Sequence, residues 1–446
     1  MNGSTARLLA LAHKGVAHAH EAGADQVAVT VIASTFVDLA QRDGRLEQVS
    51  ESRSLSLSVR LLVADRSSTH ATSDLRPQAL SAFLRRAVEV TRCLEPDPDR
   101  ALPPKEACGV AEGVDLDLVD PARVTLAFET RRDRVARLEK EVRIAEDRVP
   151  MRSCTAWWSD GSKSSATVFS NGFEGTREAS TVGAAVSISV EDKEGRLPEA
   201  SSSYGCTHLP ELPSERQIAR EAWERVTARL GSRPAASGRY PLLVDRRVAG
   251  RLLEVLTGPL SGTALHFGRS CLSSRLGERI GPEGLHLWDD PLVPRGLGSQ
   301  TYDADGFPAV RRAILEDGVL RTFFLGQYHA RRLGMDPTTA APSNVVLPPG
   351  PRSVAEIAAD LPRAIYVESF LGGSTNTTTG DFSFGIRGAL LSHGCVVHPV
   401  GEMNVAGNLL NLLPRFLEAA DDPWTFGAWR VPTLCFDDLS FSGSSA

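Results

Sequence analysis

Residues Asp245 to Gly262 read DRRVAGRLLEVLTGPLSG. Asp245 is a capping residue and Thr257-Gly258-Pro259 is a stop, so the stretch predicts one short helix within residues 246–260. Val248, Leu252, Leu253, Val255 and Leu256 make that helix apolar on nearly every side, which predicts burial between two layers. One ionisable residue, Glu254, stands in the middle of the apolar run. Two readings compete for it. It is either a structural carboxylate paired with Arg251 or a backbone donor, because burial alone is costly, or the remnant of a catalytic site.

The bulk properties narrow the class. A chain of 446 residues suggests two or three domains with ample core. A formal net charge of −6 leaves no electrostatic footprint for nucleic acid. No apolar run approaches membrane-spanning length. The opening stretch carries Lys14, His13, His18, His20 and Glu21, and reads as an amphipathic first helix rather than a signal peptide. Seven cysteines are scattered and never spaced as CxxC, which argues for reduced thiols in a cytoplasm and against a disulfide frame or zinc ribbon.

Working outward, the pattern predicts an α+β protein. An N-terminal domain of layered strands and helices spans 1–235. A mostly antiparallel β-rich domain, containing the central helix, spans 236–446. The N-terminal part reads as a helix over 4–22 and two strands over 25–40. The Arg42-Asp43-Gly44 turn follows, then two more strands in LEQVSESRSLSLSVRLLVA and a helix from Pro77 with Leu80, Phe83, Leu84, Ala87, Thr91 and Leu94 on one stripe. A long helix is expected from Asp120-Pro121 to about Ile144, its charges a solvated face. Near 154–190 an antiparallel meander is expected, with turns at Asp160-Gly161 and Asn171-Gly172 and with Trp157-Trp158 as cross-strand packing. Ser214 to Leu230 is a further helix, and GSRPAASGRY (231–240) is the expected boundary. Beyond it come the strand YPLLVD, a hairpin around Glu316-Asp317-Gly318, and a capped helix with Ser353 and Glu356. Terminal strands follow, interrupted by a helix-like NLLNLLPRFLEAA.

Several motifs stand in a telling order. Thr379-Gly380-Asp381-Phe382-Ser383-Phe384-Gly385 is followed by Val397-His398-Pro399-Val400 and by Asn404 to Leu409, NVAGNL. Gly44 to Glu47, Ser270 to Arg279 and the closing Leu439 to Gly443 complete the series. The whole chain thereby resembles the TldD/PmbA family, also called modulators of DNA gyrase. That family has two kinds of subunit. TldD carries HExxxH on the central helix and is the zinc peptidase, its histidines and a late cysteine holding the metal and its Glu activating water. TldE, or PmbA, lacks those ligands and pairs with it. Laid over this chain, HExxxH falls on Leu253 to Gly258: Glu254 matches the base, while Leu253 and Gly258 stand where the zinc ligands are lost. The glycine-rich cysteine segment is also missing. AADDPWTFGAWRVPTLC stands there, and Cys435 lies in the final strand.

The resemblance therefore implies a TldE-like subunit, catalytically incomplete, of a heterodimeric metallopeptidase that trims or degrades unfolded peptides, leader peptides of natural products among them. No metal is expected in this chain and zinc is expected on a TldD-like HExxxH partner. Thr378, Thr379, Gly380 and Asp381 read first as a structural turn, with Asp381 satisfying backbone donors, and second as lining of the peptide channel. His266, Cys271, His393, Cys395 and His398 are weighed as a substitute metal site, but on a strand His398 would point away from His393 and Cys395. His329 reads as a surface or interface residue. A hydroxyl nucleophile in Ser374 to Thr379 lacks a readable base and oxyanion hole. Two alternatives stay open: an independent enzyme or accessory acting on a peptide-like conjugate, and a homodimeric peptide-binding protein.

Overall fold

A computed structural model describes residues 3–122, 126–144 and 149–443. Its first half is a six-stranded antiparallel sheet of β1 (Gln26–Arg42), β2 (Arg45–Val63), β3 (Arg66–Thr72), β4 (Met151–Phe169), β5 (Glu174–Val190) and β6 (Glu199–Cys206), in the order β3-β2-β1-β4-β5-β6. The helices α1 (Gly3–Glu21), α2 (Pro77–Arg92), α3 (Phe128–Ile144) and α4 (Glu215–Thr227) all pack on one face. The reason is period two: Val29, Val31 and Leu39 alternate onto the helix side with Val168, Ala166 and Trp158 opposite them. Thr30, Ile32, Lys163, Ser165, Thr167 and Arg177 share the other face by the same register.

Several expectations for this half need correction. The two segments expected over 25–40 are the single strand β1, and LEQVSESRSLSLSVRLLVA is the single strand β2. They meet in the Asp43-Gly44 turn, where both φ angles are positive as a tight hairpin requires. Asp160-Gly161 is no turn but lies mid-strand in β4. Asp160 is buried there and accepts both guanidinium arms of Arg131, at 2.6 and 2.9 Å, and the Trp158 indole at 2.9 Å. Gly161 is covered by the Phe36 ring. The helix expected from Asp120-Pro121 starts at Phe128, and residues 123–125 of that expectation lie outside the described ones. Asp120 instead caps the loop, accepting from Ala122 and Leu209 amides. Nor is the charged side of α3 simply solvated. Glu139 is 2% exposed and accepts from Gln41, the Gly44 amide and Arg143, tying the β1–β2 turn to the helix.

In the second half, β7 (Gly238–Val244) leads into α5 (Arg246–Thr257), followed by the one-turn helix α6 (Gly262–His266). A small sheet of β8 (Leu287–Asp289), β9 (Arg312–Glu316), β10 (Val319–Leu320), β11 (Val345–Val346) and the later β16 (Trp429–Arg430) has the order β10-β9-β8-β11-β16. Two short helices, α7 (Gln327–Leu333) and α8 (Val354–Asp360), flank β11 in sequence, and α8 carries the expected Ser353–Glu356 capping box. The principal sheet joins β12 (Ala364–Thr375), β13 (Asp381–Ser392), β14 (Cys395–Asn408), β15 (Phe416–Ala419) and β17 (Leu434–Ser442) to β7 in the order β14-β13-β12-β7-β17-β15. Pairing of Asn404–Ala406 with Ser440–Ser442 joins β14 to β17 and closes a ring of strands. The helix-like NLLNLLPRFLEAA divides into α9 (Leu409–Leu412), a 3-10 turn and β15. No described helix is long and apolar enough to cross a membrane.

The largest core unites α5 with this ring: Leu252, Leu253, Val255 and Leu256 pack with Val244, Ile365, Val367, Phe382, Phe384 and Phe436. Burying such a set supplies the dominant favourable term of folding. The halves also meet directly. The connector after α2 pairs with the loop before β9 through Gly109–Gly306 and Ala111–Thr301 backbone bonds, and Arg60 of β2 reaches Asp305 at 2.9 Å.

Candidate functional site

The site is built on α5. Asp245 starts the helix by accepting the Arg247 amide at 2.9 Å, and the Tyr366 hydroxyl donates to its other oxygen at 2.7 Å. Burial first, and the Asp245 carboxylate second, push the Tyr366 hydroxyl far above the ordinary phenol range, so it stays a donor. The helix stops at Thr257 rather than at residue 260. It approaches β16 closely: a β-carbon on Gly250 would lie 2.6 Å from Cβ of Trp429.

One stripe of α5 stays open. Arg251, Glu254, Val255, Thr257 and Gly258 line a cleft of about 390 Å³ whose opposite wall is Pro342, Thr375 and Trp429. Glu254 is therefore not sealed in the apolar run. Its side chain is 40% exposed and accepts from the Arg251 guanidinium at 2.6 Å, the pairing weighed from the sequence. The guanidinium also lies over the Phe384 ring at 5.6 Å.

The two lost-ligand positions do not converge. Leu253 is buried in the core, whereas Gly258 faces the cleft. At Gly258 the space is already taken, because a β-carbon there would lie 2.8 Å from the Thr377 methyl. The residues present do not fit a zinc ion. Neither aliphatic nor glycine side chains donate to a metal, and among the described residues no three His, Cys, Asp or Glu side chains group as a metal site.

The loop of Thr378, Thr379, Gly380 and Asp381 sits beside the cleft rather than in it. Thr375 is the member of this segment that lines the wall. The expectation for Asp381 needs correction: it takes side-chain donors, from Thr379 at 2.6 Å and Asn408 at 2.8 Å, while Asn376 accepts the Thr378 and Thr379 amides. Asn408 foremost, then Thr379, holds the Asp381 carboxyl below its usual range. Gly380, at φ +82°, passes close to Cys271, whose amide donates to the Thr377 carbonyl at 2.9 Å.

The weighed histidines and cysteines are dispersed. His266 and His329 lie with ring centres 6.0 Å apart, and burial, then His266, lowers the His329 basicity. His393 occupies the turn between β13 and β14 at φ +47°, and His398 contacts the Pro399 carbonyl. Cys435 is buried in β17, its thiol pushed up to about 12 by burial, so it is neither nucleophile nor ready ligand. Pro342 and Trp429 escaped sequence reading because each reaches the cleft from a segment over 80 residues away with no motif of its own.

Comparison with known proteins agrees with this architecture. Two domain descriptions of one group match: the PmbA/TldA metallopeptidase domain 1 over residues 27–91 and its C-terminal domain over 237–443. The metalloprotease PmbA of Escherichia coli is 25% identical over 422 residues, 94% of this chain and 92% of its own. A metalloprotease of Methanothermobacter thermautotrophicus is 26% identical over 392 residues, 84% of this chain and 83% of its own. A crystal structure from Bacteroides thetaiotaomicron, given there as a proposed modulator of DNA gyrase, superposes with a TM-score of 0.94 at 29% identity, covering 98% of each chain. TldE of Thermococcus kodakarensis superposes at 0.85 with 18% identity over 97% of this chain and all of its own, a likeness of fold. Matched domains in both halves and relatives matched along nearly their full length agree: the chain belongs to the PmbA/TldD family of metallopeptidases.

Proposed function

We propose that this chain is the non-metal, TldE-like subunit of a two-subunit zinc metallopeptidase acting on unfolded peptides, leader peptides among them. One observation carries the reading: Leu253 is turned into the core and Gly258 is closed off by the Thr377 methyl, at the two positions where a peptidase subunit needs imidazoles. Glu254, the remaining member of the motif, is neutralised by Arg251 rather than aimed at a water. No hydrolytic step is assigned to this chain's residues. Its part is to hold the partner subunit and to border the path along which the peptide runs, with the exposed Arg251 and Thr375 and the half-buried Trp429 as polar and aromatic contacts. Main-chain hydrogen bonds to an extended peptide would give low sequence selectivity.

The test is reconstitution. Purified alone, the chain contains less than about a tenth of an equivalent of zinc and does not cleave a denatured peptide. Mixed with an HExxxH subunit from the same genome it co-elutes and raises that subunit's turnover. Cleavage by this chain alone, unaffected by chelator, would favour the independent-enzyme alternative. Failure to bind the HExxxH subunit together with a stable self-dimer would favour the homodimer.

A further inference from the structure

A second cavity is larger than the α5 cleft. It encloses about 800 Å³ between the helix-free face of the N-terminal sheet and the loop of residues 297–304. That volume suits a ligand of peptide or cofactor size. Its floor is polar and small: Thr30, Ser165 and Thr167 present hydroxyls, and the Thr30–Thr167 pair is bonded at 3.0 Å. Two cations rise from this floor, Lys163 from β4 and Arg177 from β5.

Neither cation has a carboxylate within ion-pair distance among the described residues. Among the described residues Lys163 has no ion pair. Arg177 lies with its guanidinium 3.9 Å from the Tyr302 ring centre and donates to the Tyr302 carbonyl, with no carboxylate in contact. Burial lowers its basicity, and the Asp303 carboxylate across the cavity offsets this only in part. The one acid directed to the same strand segment, Glu178, points to the opposite face by register and accepts from Thr5 on α1.

The opposite wall is of the other sign. Asp115, Asp117 and Asp303 border the cavity, and of these Asp117 is already paired with Arg295 at 2.6 Å, which leaves Asp115 and Asp303 to face a ligand. Asp303 is buried, and burial raises its carboxyl above the usual range. Three polar atoms of the lining residues are buried with no hydrogen-bond partner among the described residues: Nε of Arg177, the Tyr302 hydroxyl and Oδ2 of Asp303. Buried polar atoms left unpaired are costly, and they gather here around one cavity.

We infer that this cavity binds a small zwitterion, a free amino acid or short peptide, with its carboxylate against Lys163 and Arg177 and its ammonium toward the aspartate wall. The separated signs argue against a dianion such as phosphate, which the aspartates would repel. They argue for a ligand carrying both charges. The inference is independent of where hydrolysis takes place and goes beyond the proposed subunit role.

The experiment is calorimetric titration of the purified full chain with trialanine, its C-terminal amide, its N-acetyl form and inorganic phosphate. Free trialanine is expected to bind, and loss of either terminal charge to weaken it about tenfold, the scale of one charge-assisted hydrogen bond. Arg177→Met and Lys163→Met should each weaken it by a similar factor. Lys163 is exposed, so Lys163→Met keeps the test alive if Arg177→Met does not fold. No binding of trialanine, equal binding of the amide, or tighter binding of phosphate overturns the inference. None of these results bears on association with an HExxxH subunit, which reconstitution reads separately.

Discussion

Restoring both histidines by substitution should not restore a metal centre. In Leu253→His/Gly258→His the first change removes a leucine that is 4% exposed within the largest core. Losing that packing costs about 2 kcal/mol, the low end for large-to-small core changes because imidazole refills part of the space. The buried imidazole adds about 1–2 kcal/mol for ring nitrogens without partners. At residue 258 a β-carbon would meet the Thr377 methyl at 2.8 Å. Ordinary carbon contacts are ~3.5–4.0 Å, so the loop must shift by roughly 0.7 Å, at an overpacking cost of about 1 kcal/mol. Together the loss is about 4 kcal/mol, a large share of the ~5–15 kcal/mol that a domain has. Urea unfolding followed by tryptophan fluorescence measures it, and metal analysis after dialysis against zinc reads occupancy. A double variant that keeps the parent midpoint and holds one tight equivalent of zinc would refute the packing argument. Adding Thr377→Ser should return about 1 kcal/mol by removing the methyl; no recovery would show that the contact at residue 258 is not the obstacle.

Other outcomes follow from the same structure. Asp160→Ala should be among the most destabilising single changes, about 3–5 kcal/mol, because it leaves the half-buried Arg131 unpaired; chemical denaturation reads this, and a loss below 1 kcal/mol would contradict the buried pair. Tyr366→Phe removes one hydrogen bond from the α5 cap and should cost about 1 kcal/mol by the same assay. Asp438 is held at about 2 by Arg239 and then Arg415, below its ordinary 3.8. A depressed carboxyl stabilises above its unfolded value, so the advantage of the parent over Asp438→Asn should be complete above pH 4 and vanish as pH falls toward 2, seen in melting temperatures along that range. A short pulse of maleimide at pH 8 should label exposed Cys93 and Cys395 first, and leave Cys154 and Cys435, whose thiols burial pushes up to about 12, unmodified by mass spectrometry.

Much of the architecture was legible where a residue's local chemistry and its tertiary role coincide. Asp245 and Ser353 cap helices as their types prescribe, and the apolar run of α5 is buried as its pattern requires. The misreadings have a common cause. Asp160-Gly161 has the composition of a turn, but Phe36 covers the glycine and Arg131 neutralises the aspartate, so a breaker pair becomes mid-strand. The serine-rich stretch of β2 was divided because its exposed half lacks the apolar alternation that marks a half-buried strand. The charge on α3 concealed Glu139, whose partners Gln41 and Gly44 lie almost a hundred residues earlier. In the cleft, Glu254 and Gly258 were readable from a motif, but the orientation of Leu253 and the Thr377 contact depend on packing that no local pattern encodes. The zwitterion cavity was invisible for the same reason: Lys163 and Arg177 share one sheet face, but Asp303 reaches them only through the packing of a loop more than a hundred residues later in the chain.

The closure of the C-terminal ring bears on how the protein is made. β17 pairs with β7 across almost two hundred residues of sequence and also fastens β14. A ribosome must therefore release β17 before β7 and β14 gain their common neighbour, and until then both keep unsatisfied edges open to other chains. The N-terminal sheet, complete by Cys206, carries no such delay. Synthesis would thus leave a finished platform waiting beside an open, sticky hoop, and slow translation near codon 430 would lengthen the interval in which chaperones are needed.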